Sequence, residues 1–252
     1  MVNYSDLIIL HEDNHLLVVI KPAGLLTQGD SSGKPALNEL LKQYLKEAYG
    51  KPGNAFVGIV HRLDQPVGGV MVFAKTSKAA GRLSEQVRSR SFRKGYLAVV
   101  EGELPSGPRT LVHFLRKDKR RNVVSVVPPD APDAKRAELR MEPVASRRGC
   151  TLVRIDLKTG RPHQIRVQMA KEGFPLLGDR KYGDGTWGSE VDLALWAHAL
   201  AVNHPTLKTP LTFVGAPPMN RSPWCLFPEA EAEAVAPPTE PADSAAGPAP
   251  PR

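Results

Sequence analysis

The apolar residues of this chain come in short runs, each cut off by turn-forming residues, and that segmentation limits what it can fold into. Leu7–Leu10 and Leu16–Ile20 are two such runs, joined by the polar stretch His11–His15 and stopped by Lys21-Pro22-Ala23-Gly24. Phe56–Val60 and Val70–Ala74 are two more, separated by His61-Arg62-Leu63-Asp64, Pro66 and the pair Gly68-Gly69. Of these apolar runs, Leu7–Leu10, Leu16–Ile20 and Val70–Ala74 are read as short buried strands. Tyr96–Val100, ending at Glu101-Gly102, fits the same description. Arg109–Leu115 and Asn122–Val127 are strand candidates on either side of the basic run Arg116-Lys117-Asp118-Lys119-Arg120-Arg121. The clearest alternation is Thr151–Lys158, with Thr151, Val153, Ile155 and Leu157 on one face and Arg154, Asp156 and Lys158 on the other. The runs at the N-terminus fall far short of the roughly 20 residues that span a bilayer.

Three segments carry helical spacing instead. Ala36–Tyr49 places Leu37, Leu40, Leu41, Tyr44 and Leu45 on one face. Ser77 is read as the N-cap of a helix from Lys78 to about Arg90, with Ala80, Leu83 and Val87 buried. Pro162 suits the first turn of a helix running to about Glu172 and stopped by Gly173. Strands and helices are interspersed without a regular βα alternation and without repeats, which predicts an α+β fold rather than a doubly wound sheet.

Charge is unevenly placed. The 252 residues carry 34 Lys+Arg and 26 Asp+Glu, a formal charge of +8. Residues 228–252 hold five of the acids and only one base, and consist almost wholly of Pro, Ala, Glu and small polar residues. Such a segment offers too little apolar surface to offset the entropy of ordering, so the expectation is a folded domain over 1–227 and a disordered acidic tail over 228–252. The folded part then has 33 bases against 21 acids, an excess that fits a polyanion partner or simply solubility. The first residues lack a basic, long-apolar leader, so no signal peptide is read, and the two cysteines, Cys150 and Cys225, form no CxxC pair. A reducing cytoplasm is the expected compartment, with neither a disulfide framework nor a cysteine zinc site.

Few polar residues have a chemical reading on their own. Asp64 follows an apolar run and precedes Pro66 and two glycines, so its carboxylate sits in a constrained turn, as a turn-former or as a reactive group. In Arg161-Pro162-His163-Gln164-Ile165-Arg166, His163 and Arg166 share one side of a helix. An arginine near a helix start opposes the helix dipole. It calls for a carboxylate or a phosphate nearby, unless it forms an ordinary surface ion pair. His61, His163, His198 and His204 have no metal-ligand spacing, and no HExxH, GxSxG or GxxxxGK[ST] motif occurs. Gly178-Asp179-Arg180-Lys181-Tyr182-Gly183 reads as a turn whose two bases could touch phosphate.

Taken in order, these pieces resemble the RluA-type pseudouridine synthases. His61-Arg62-Leu63-Asp64 with Gly68-Gly69-Val70 resembles the family's catalytic signature, and Lys21-Pro22-Ala23-Gly24 its N-terminal KPAG. Lys94-Gly95-Tyr96-Leu97-Ala98 followed by Glu101-Gly102 resembles K-x-Y-L-A. Thr159–Arg166 resembles TGRxHQIR, Gly178-Asp179 with Tyr182-Gly183 resembles GDxxYG, and His198 with His204-Pro205 resembles the closing HA…HP segment. The resemblance runs from about Leu7 to Pro218. Two positions depart from it: Val67-Gly68-Gly69 stands where the family has Thr-Ser-Gly, and Gln168 stands where it often has His. The chain opens directly on the core segment, so the core is expected to supply its own RNA affinity.

The resemblance implies a central mixed, mostly antiparallel sheet flanked by helices and loops. It implies isomerisation of uridine within structured RNA, ribosomal or transfer, with no external cofactor or metal, in a monomer with no membrane association. By the same resemblance Asp64 is the nucleophile or base, Arg166 pairs with it, and Tyr96 lies beside the target base. Pairing is how a desolvated carboxylate keeps its charge. The target base must leave the RNA stack, and Arg62 is the residue expected to fill its place or hold a phosphate. Arg88, Arg90, Arg93, Lys94, Arg161 and His163 are the remaining expected RNA contacts, with Arg116–Arg121 a further basic group. Two other readings stay open: a catalytically silent RNA-binding protein that keeps the fold, and a carboxylate glycosidase. The second normally needs paired carboxylates.

Overall fold

The computed structural model describes residues 3–50, 55–183 and 191–238. Eleven strands make one sheet: β1 (Ile8–Glu12), β2 (Leu16–Lys21), β3 (Gly58–Ile59), β4 (Gly68–Ala74), β5 (Arg93–Glu101), β6 (Arg109–Asp118), β7 (Val123–Val127), β8 (Lys135–Arg147), β9 (Cys150–Leu157), β10 (Leu195–Asn203) and β11 (Pro210–Val214). The helices are α1 (Leu37–Ala48), α2 (Ser77–Arg88), α3 (Gln164–Lys171) and α4 (Glu229–Ala234). The main strand order is β1-β2-β4-β10-β5-β9-β8-β6-β7, with β3 on β4 and β11 on β10. All pairs are antiparallel except β4 with β10. This is the expected α+β fold with a mixed, mostly antiparallel sheet.

The one parallel pairing is a narrow seam. It joins Trp196 to Gly68 and Ala197 to Gly69. Gly69 has φ +126°, and a Cβ there would stand 2.2 Å from the Ala197 carbonyl oxygen. A Cβ at Gly68 would stand 2.3 Å from the Trp196 ring. The departure from Thr-Ser-Gly therefore has a packing reason: Gly68 makes room for Trp196, whose indole donates to the Gly215 carbonyl at 2.8 Å.

Alternation along β5 separates two cores. Tyr96, Ala98 and Val100 join the cluster that includes Leu37, Leu41 and Leu45 of α1 and Ile165 and Met169 of α3. Leu97 and Val99 join the opposite cluster, under Trp196, Trp224, Phe227 and the alanines of α4. A third cluster holds α2 through Ala79 and Leu83 against Val70 and Val72.

Several boundaries differ from the sequence reading. Thr76, not Ser77, caps α2, accepting from Ala79 N–H at 3.1 Å. β1 is an edge strand with Ile8 exposed rather than a buried strand. The long strands β8 and β10 were not expected. The reading of a disordered tail from Pro228 is corrected: Glu229–Ala234 is helical, with Ala230 and Ala234 fully buried against the sheet. Arg147 pairs with Glu229, and Arg154 with Glu233 at 2.9 Å, so cations of the sheet match the acids of this segment. The rest of the expected tail, 239–252, lies outside the described residues.

Candidate active site

The loop between β3 and β4 carries His61–Asp64, and main-chain bonds fix its shape. The Thr27 hydroxyl donates to the Leu63 carbonyl at 2.9 Å and accepts from Leu63 N–H at 3.3 Å. Lys21, wholly buried at the end of β2, donates its ammonium to the carbonyls of Pro22 (2.9 Å) and Gln65 (3.1 Å). Burial pulls the Lys21 pKa down to about 7, against the opposing charge of Asp64. Val67 N–H closes the turn on the Asp64 carbonyl at 3.0 Å. His61 accepts from Val72 N–H at Nε2 (3.1 Å) and stacks at a tilt on Phe92. Burial, aided by the charge of Lys94, lowers its pKa to about 3, so the ring is neutral.

This loop presents the Asp64 carboxylate to Arg166 of α3, with Nη1 3.5 Å from Oδ2. The arginine's closer partner is Asp179. Nε and Nη2 donate to its two oxygens at 2.8 and 2.6 Å, a bidentate pair with the Asp179 side chain fully buried. Asp179 also accepts from the N–H groups of Lys181 and Tyr182. Burial opposes both charges, but the paired hydrogen bonds outweigh it, raising the Arg166 pKa and lowering that of Asp179. The arginine is thus fixed by one carboxylate and offers its remaining nitrogen to another. The sequence reading has Asp179 in a turn and in the GDxxYG-like segment, with no partner named. The signal that could have found it was the misplaced-looking arginine, which required a buried carboxylate.

His163 precedes α3 in a left-handed conformation, φ 51°. Tyr182 links it to β7: its hydroxyl accepts from Val124 N–H at 2.9 Å and lies 2.6 Å from His163 Nδ1. Burial lowers the His163 pKa, with Asp64 opposing, and keeps the ring neutral.

Tyr96, 6% exposed, lines a recess with Asp64, Arg166, Val67, His163 and Leu195. Burial, then the charge of Asp64, pushes its phenol far above the ordinary value, so it is held protonated. The recess adjoins an open cleft of about 1440 Å³, walled by the Leu26–Asp30 and His61–Pro66 loops, by Gly160–His163, and by Lys117, Arg180 and Lys181. The structure brings together Asp64, Tyr96, Arg166, Arg62, Arg161 and His163. Arg62 is exposed, its Nη1 3.4 Å from Gln28 Oε1. Arg88, paired to Glu85, and Arg90 and Arg93 are not among the residues lining this cleft. Of the basic run, Lys117 reaches the cleft. Gln168 bonds Leu111 O (3.2 Å) and His113 Nδ1 (3.1 Å), tying α3 to β6.

Comparison with known proteins gives this geometry a family. The pattern described as RNA pseudouridylate synthase matches residues 15–171. The chain is 36% identical over 189 residues to the uncharacterized RNA pseudouridine synthase YhcT of Bacillus subtilis (73% of this chain, 60% of that protein). It is 40% identical over 185 residues to ribosomal large subunit pseudouridine synthase D of Pseudomonas aeruginosa (71% and 54%). With ribosomal large subunit pseudouridine synthase C of Escherichia coli it shares 34% over 206 residues (79% and 62%). The matched stretch thus spans between 54% and 62% of these relatives' lengths. Among solved structures, human RNA pseudouridylate synthase domain containing 4 superposes with TM-score 0.69 at 26% identity, covering 84% of this chain and 88% of that one. The fold is also that of human RNA pseudouridylate synthase domain containing 1, TM-score 0.70 at 19% identity, covering 95% and 99%. The motifs, the sheet and these matches agree: the chain belongs to the RNA pseudouridylate synthase family.

Proposed function

We propose that this chain isomerises uridine to pseudouridine in ribosomal RNA, with Asp64 as the reacting carboxylate. The observation that carries the reading is one arrangement: Asp64 stands at the recess that Tyr96 lines, facing an arginine locked by Asp179. Two of the relatives named above are ribosomal large subunit synthases, which favours ribosomal over transfer RNA.

In the reaction the N1–C1′ bond of uridine breaks and a C5–C1′ bond forms. The C5 proton leaves to solvent and N1 gains one. Arg166 holds the Asp64 charge in place while water is excluded by the entering base. The Tyr96 ring is placed to stack on uracil, and its protonated hydroxyl is a hydrogen-bond donor in the resting site rather than a base. His163 is a second neutral side chain at the same wall. No step here calls on an external cofactor. A monomer acting in the cytoplasm completes the reading. Among the described residues no helix is long and apolar enough to cross a membrane.

The test is tritium release from ribosomal and transfer RNA labelled at C5 of uridine, prepared from cells lacking the protein. Release from ribosomal RNA by the wild type, and none by Asp64→Asn, is the expected result. Folded wild type that binds RNA without releasing tritium would leave the silent RNA-binding reading in its place.

A further inference from the structure

The two carboxylates do not by themselves fix the aim of Arg166. The bidentate pair with Asp179 uses Nε and Nη2, which lie along one edge of the guanidinium. Two parallel bonds on one edge set distance and in-plane direction, and they leave tilt about that edge as the soft motion. Nη1, which faces Asp64 at 3.5 Å, is the nitrogen off that edge, so tilt moves it most. Tyr182 stands against this tilt. The guanidinium carbon of Arg166 lies over the Tyr182 ring, 5.1 Å from its centroid, within the range of a cation–π contact. The main-chain N–H of the same tyrosine donates to Asp179 Oδ1 at 3.2 Å. Tyr182 thus touches both members of the pair, its backbone on the carboxylate and its ring on the cation.

The far end of that ring is tied to a different element. β7 is the last strand of the sheet, so its outer side has no neighbouring strand to pair with. There the Tyr182 hydroxyl accepts from Val124 N–H at 2.9 Å. Val124 stands opposite Lys117 in the register of β6 and β7, and Lys117 is the residue of the basic run that reaches the cleft. Beside Tyr182, Lys181 donates its ammonium to the Asn122 carbonyl of the same hairpin at 2.9 Å. Val124, Tyr182 and Val167, the residue after Arg166 on α3, share one apolar cluster. The hairpin, the Gly178–Gly183 turn and α3 therefore meet at one side chain.

We propose that Tyr182 is a positioning residue for the isomerisation, with two separable halves. Its ring stops the Arg166 guanidinium from tilting and so aims Nη1 at Asp64. Its hydroxyl holds the β6–β7 hairpin through Val124 and so places Lys117 at the cleft. Tyr182 touches no reacting atom: it acts through Arg166 at one end and through the hairpin at the other. The inference rests on the reading of Asp64 as the reacting carboxylate for what the aim of Arg166 accomplishes.

The experiment is steady-state tritium release from ribosomal RNA labelled at C5 of uridine, with kcat and KM expressed per folded molecule. Tyr182→Leu removes both halves. Its kcat is expected to fall about tenfold or more, as a displaced positioning group allows, and its KM to rise. Tyr182→Phe restores the ring alone. It is expected to recover most of the lost kcat while its KM stays about threefold or more above the wild type's. Equal kcat in the two variants overturns the ring half, and a wild-type KM in Tyr182→Phe overturns the hydroxyl half. A residue needed only for folding would lower the folded fraction without producing this split. Should Tyr182→Leu fail to fold, Tyr182→Met keeps side-chain bulk without an aromatic face and carries the same expectation. A second readout does not depend on turnover: the NMR signal of the Arg166 Nε–H group, identified as the one missing in Arg166→Lys. It should move in Tyr182→Leu and stay near its place in Tyr182→Phe, and no movement in Tyr182→Leu overturns the ring contact. The two readings fail separately. A signal that moves as expected, beside a wild type that releases no tritium, keeps the hold of Tyr182 on Arg166 and removes the isomerase. Tritium release by the wild type with no difference among the variants does the reverse.

Discussion

The two faces of β5 are built by different rules. On the cleft face, beside Tyr96, buried polar groups are numerous and several are fixed by a partner: Lys21 on two carbonyls, Thr27 on Leu63, Arg166 on Asp179. On the opposite face, beside Leu97 and Val99, an apolar cluster is closed by Trp224, Phe227, Ala230 and Ala234, with His198 buried against the Ala234 carbonyl and ion pairs to Glu229 and Glu233 at the rim. The first face specifies geometry through hydrogen bonds at the expense of burying charge. The second contributes burial and shape. A change on the first should therefore damage the chemistry out of proportion to stability, and a change on the second the reverse.

The sharpest break in that contrast is Asp179→Ala. It leaves the Arg166 guanidinium buried beside Asp64 alone, and removing one partner of a buried pair costs about 3–5 kcal/mol. Tritium release should fall steeply toward the level of Asp64→Asn, with the melting temperature lowered as well. Activity near wild type would mean that Asp64 orients the arginine unaided. Ala230→Asp is the counterpart on the other face. It forces a charge under α4 at a fully buried position, and undocking the segment should cost about 2–4 kcal/mol. Per folded molecule, tritium release should hardly change. A large loss there would tie the two faces together.

Gly68→Ser tests the seam from both sides at once. The new Cβ would meet the Trp196 ring, so a loss of about 1–3 kcal/mol is expected in denaturant unfolding. Adding Trp196→Leu should recover much of it, which a double-mutant cycle measures. Strict additivity of the two changes would show that the glycine is not there for the indole.

The smallest effect is a pH slope. Lys21 has a folded pKa of about 7 against an ordinary value of 10.5, so between these the unfolded chain binds more protons. Its contribution therefore makes the fold more stable as pH rises from about 7, by at most about 1.4 kcal/mol per pH unit. Comparing wild type with Lys21→Met by thermal unfolding at pH 7, 8 and 9 isolates it. A constant difference would mean that the ammonium is not the buried group that matters.

The same contrast explains what could be read in advance. On the cleft face, Asp64, Arg166 and His163 are legible in residue type and spacing and Tyr96 through the family resemblance, and the four stand together. Asp179 is legible as a turn residue and as part of the GDxxYG-like segment, but nothing local says which arginine it will meet. On the other face the determinant is shape. Phe227, Ala230 and Ala234 match the surface made by Trp196 and Trp224, and a composition rich in Ala, Glu and Pro hides that match. β10 escaped notice because both of its sides are covered: Ala197, His198, Ala199 and Ala201 are all buried and show no alternation. β8 does alternate, through Ala137, Leu139 and Met141, but Pro143 and its many charges mask the pattern.

The seam between β4 and β10 also sets the order of events during synthesis. Asp64 belongs to the half of the sheet made from the first part of the chain, while Tyr96 and Arg166 belong to the other half. The strand that joins the halves, β10, sits between β4 and β5 in space but emerges from the ribosome after both, and after α3. A nascent chain can close its local hairpins early, yet this long-range pairing must wait. Until Trp196 and Ala197 reach the two glycines, no backbone pairing joins the strand that follows Asp64 to the strand that carries Tyr96, so the sheet under the site is completed only after α3 has been translated.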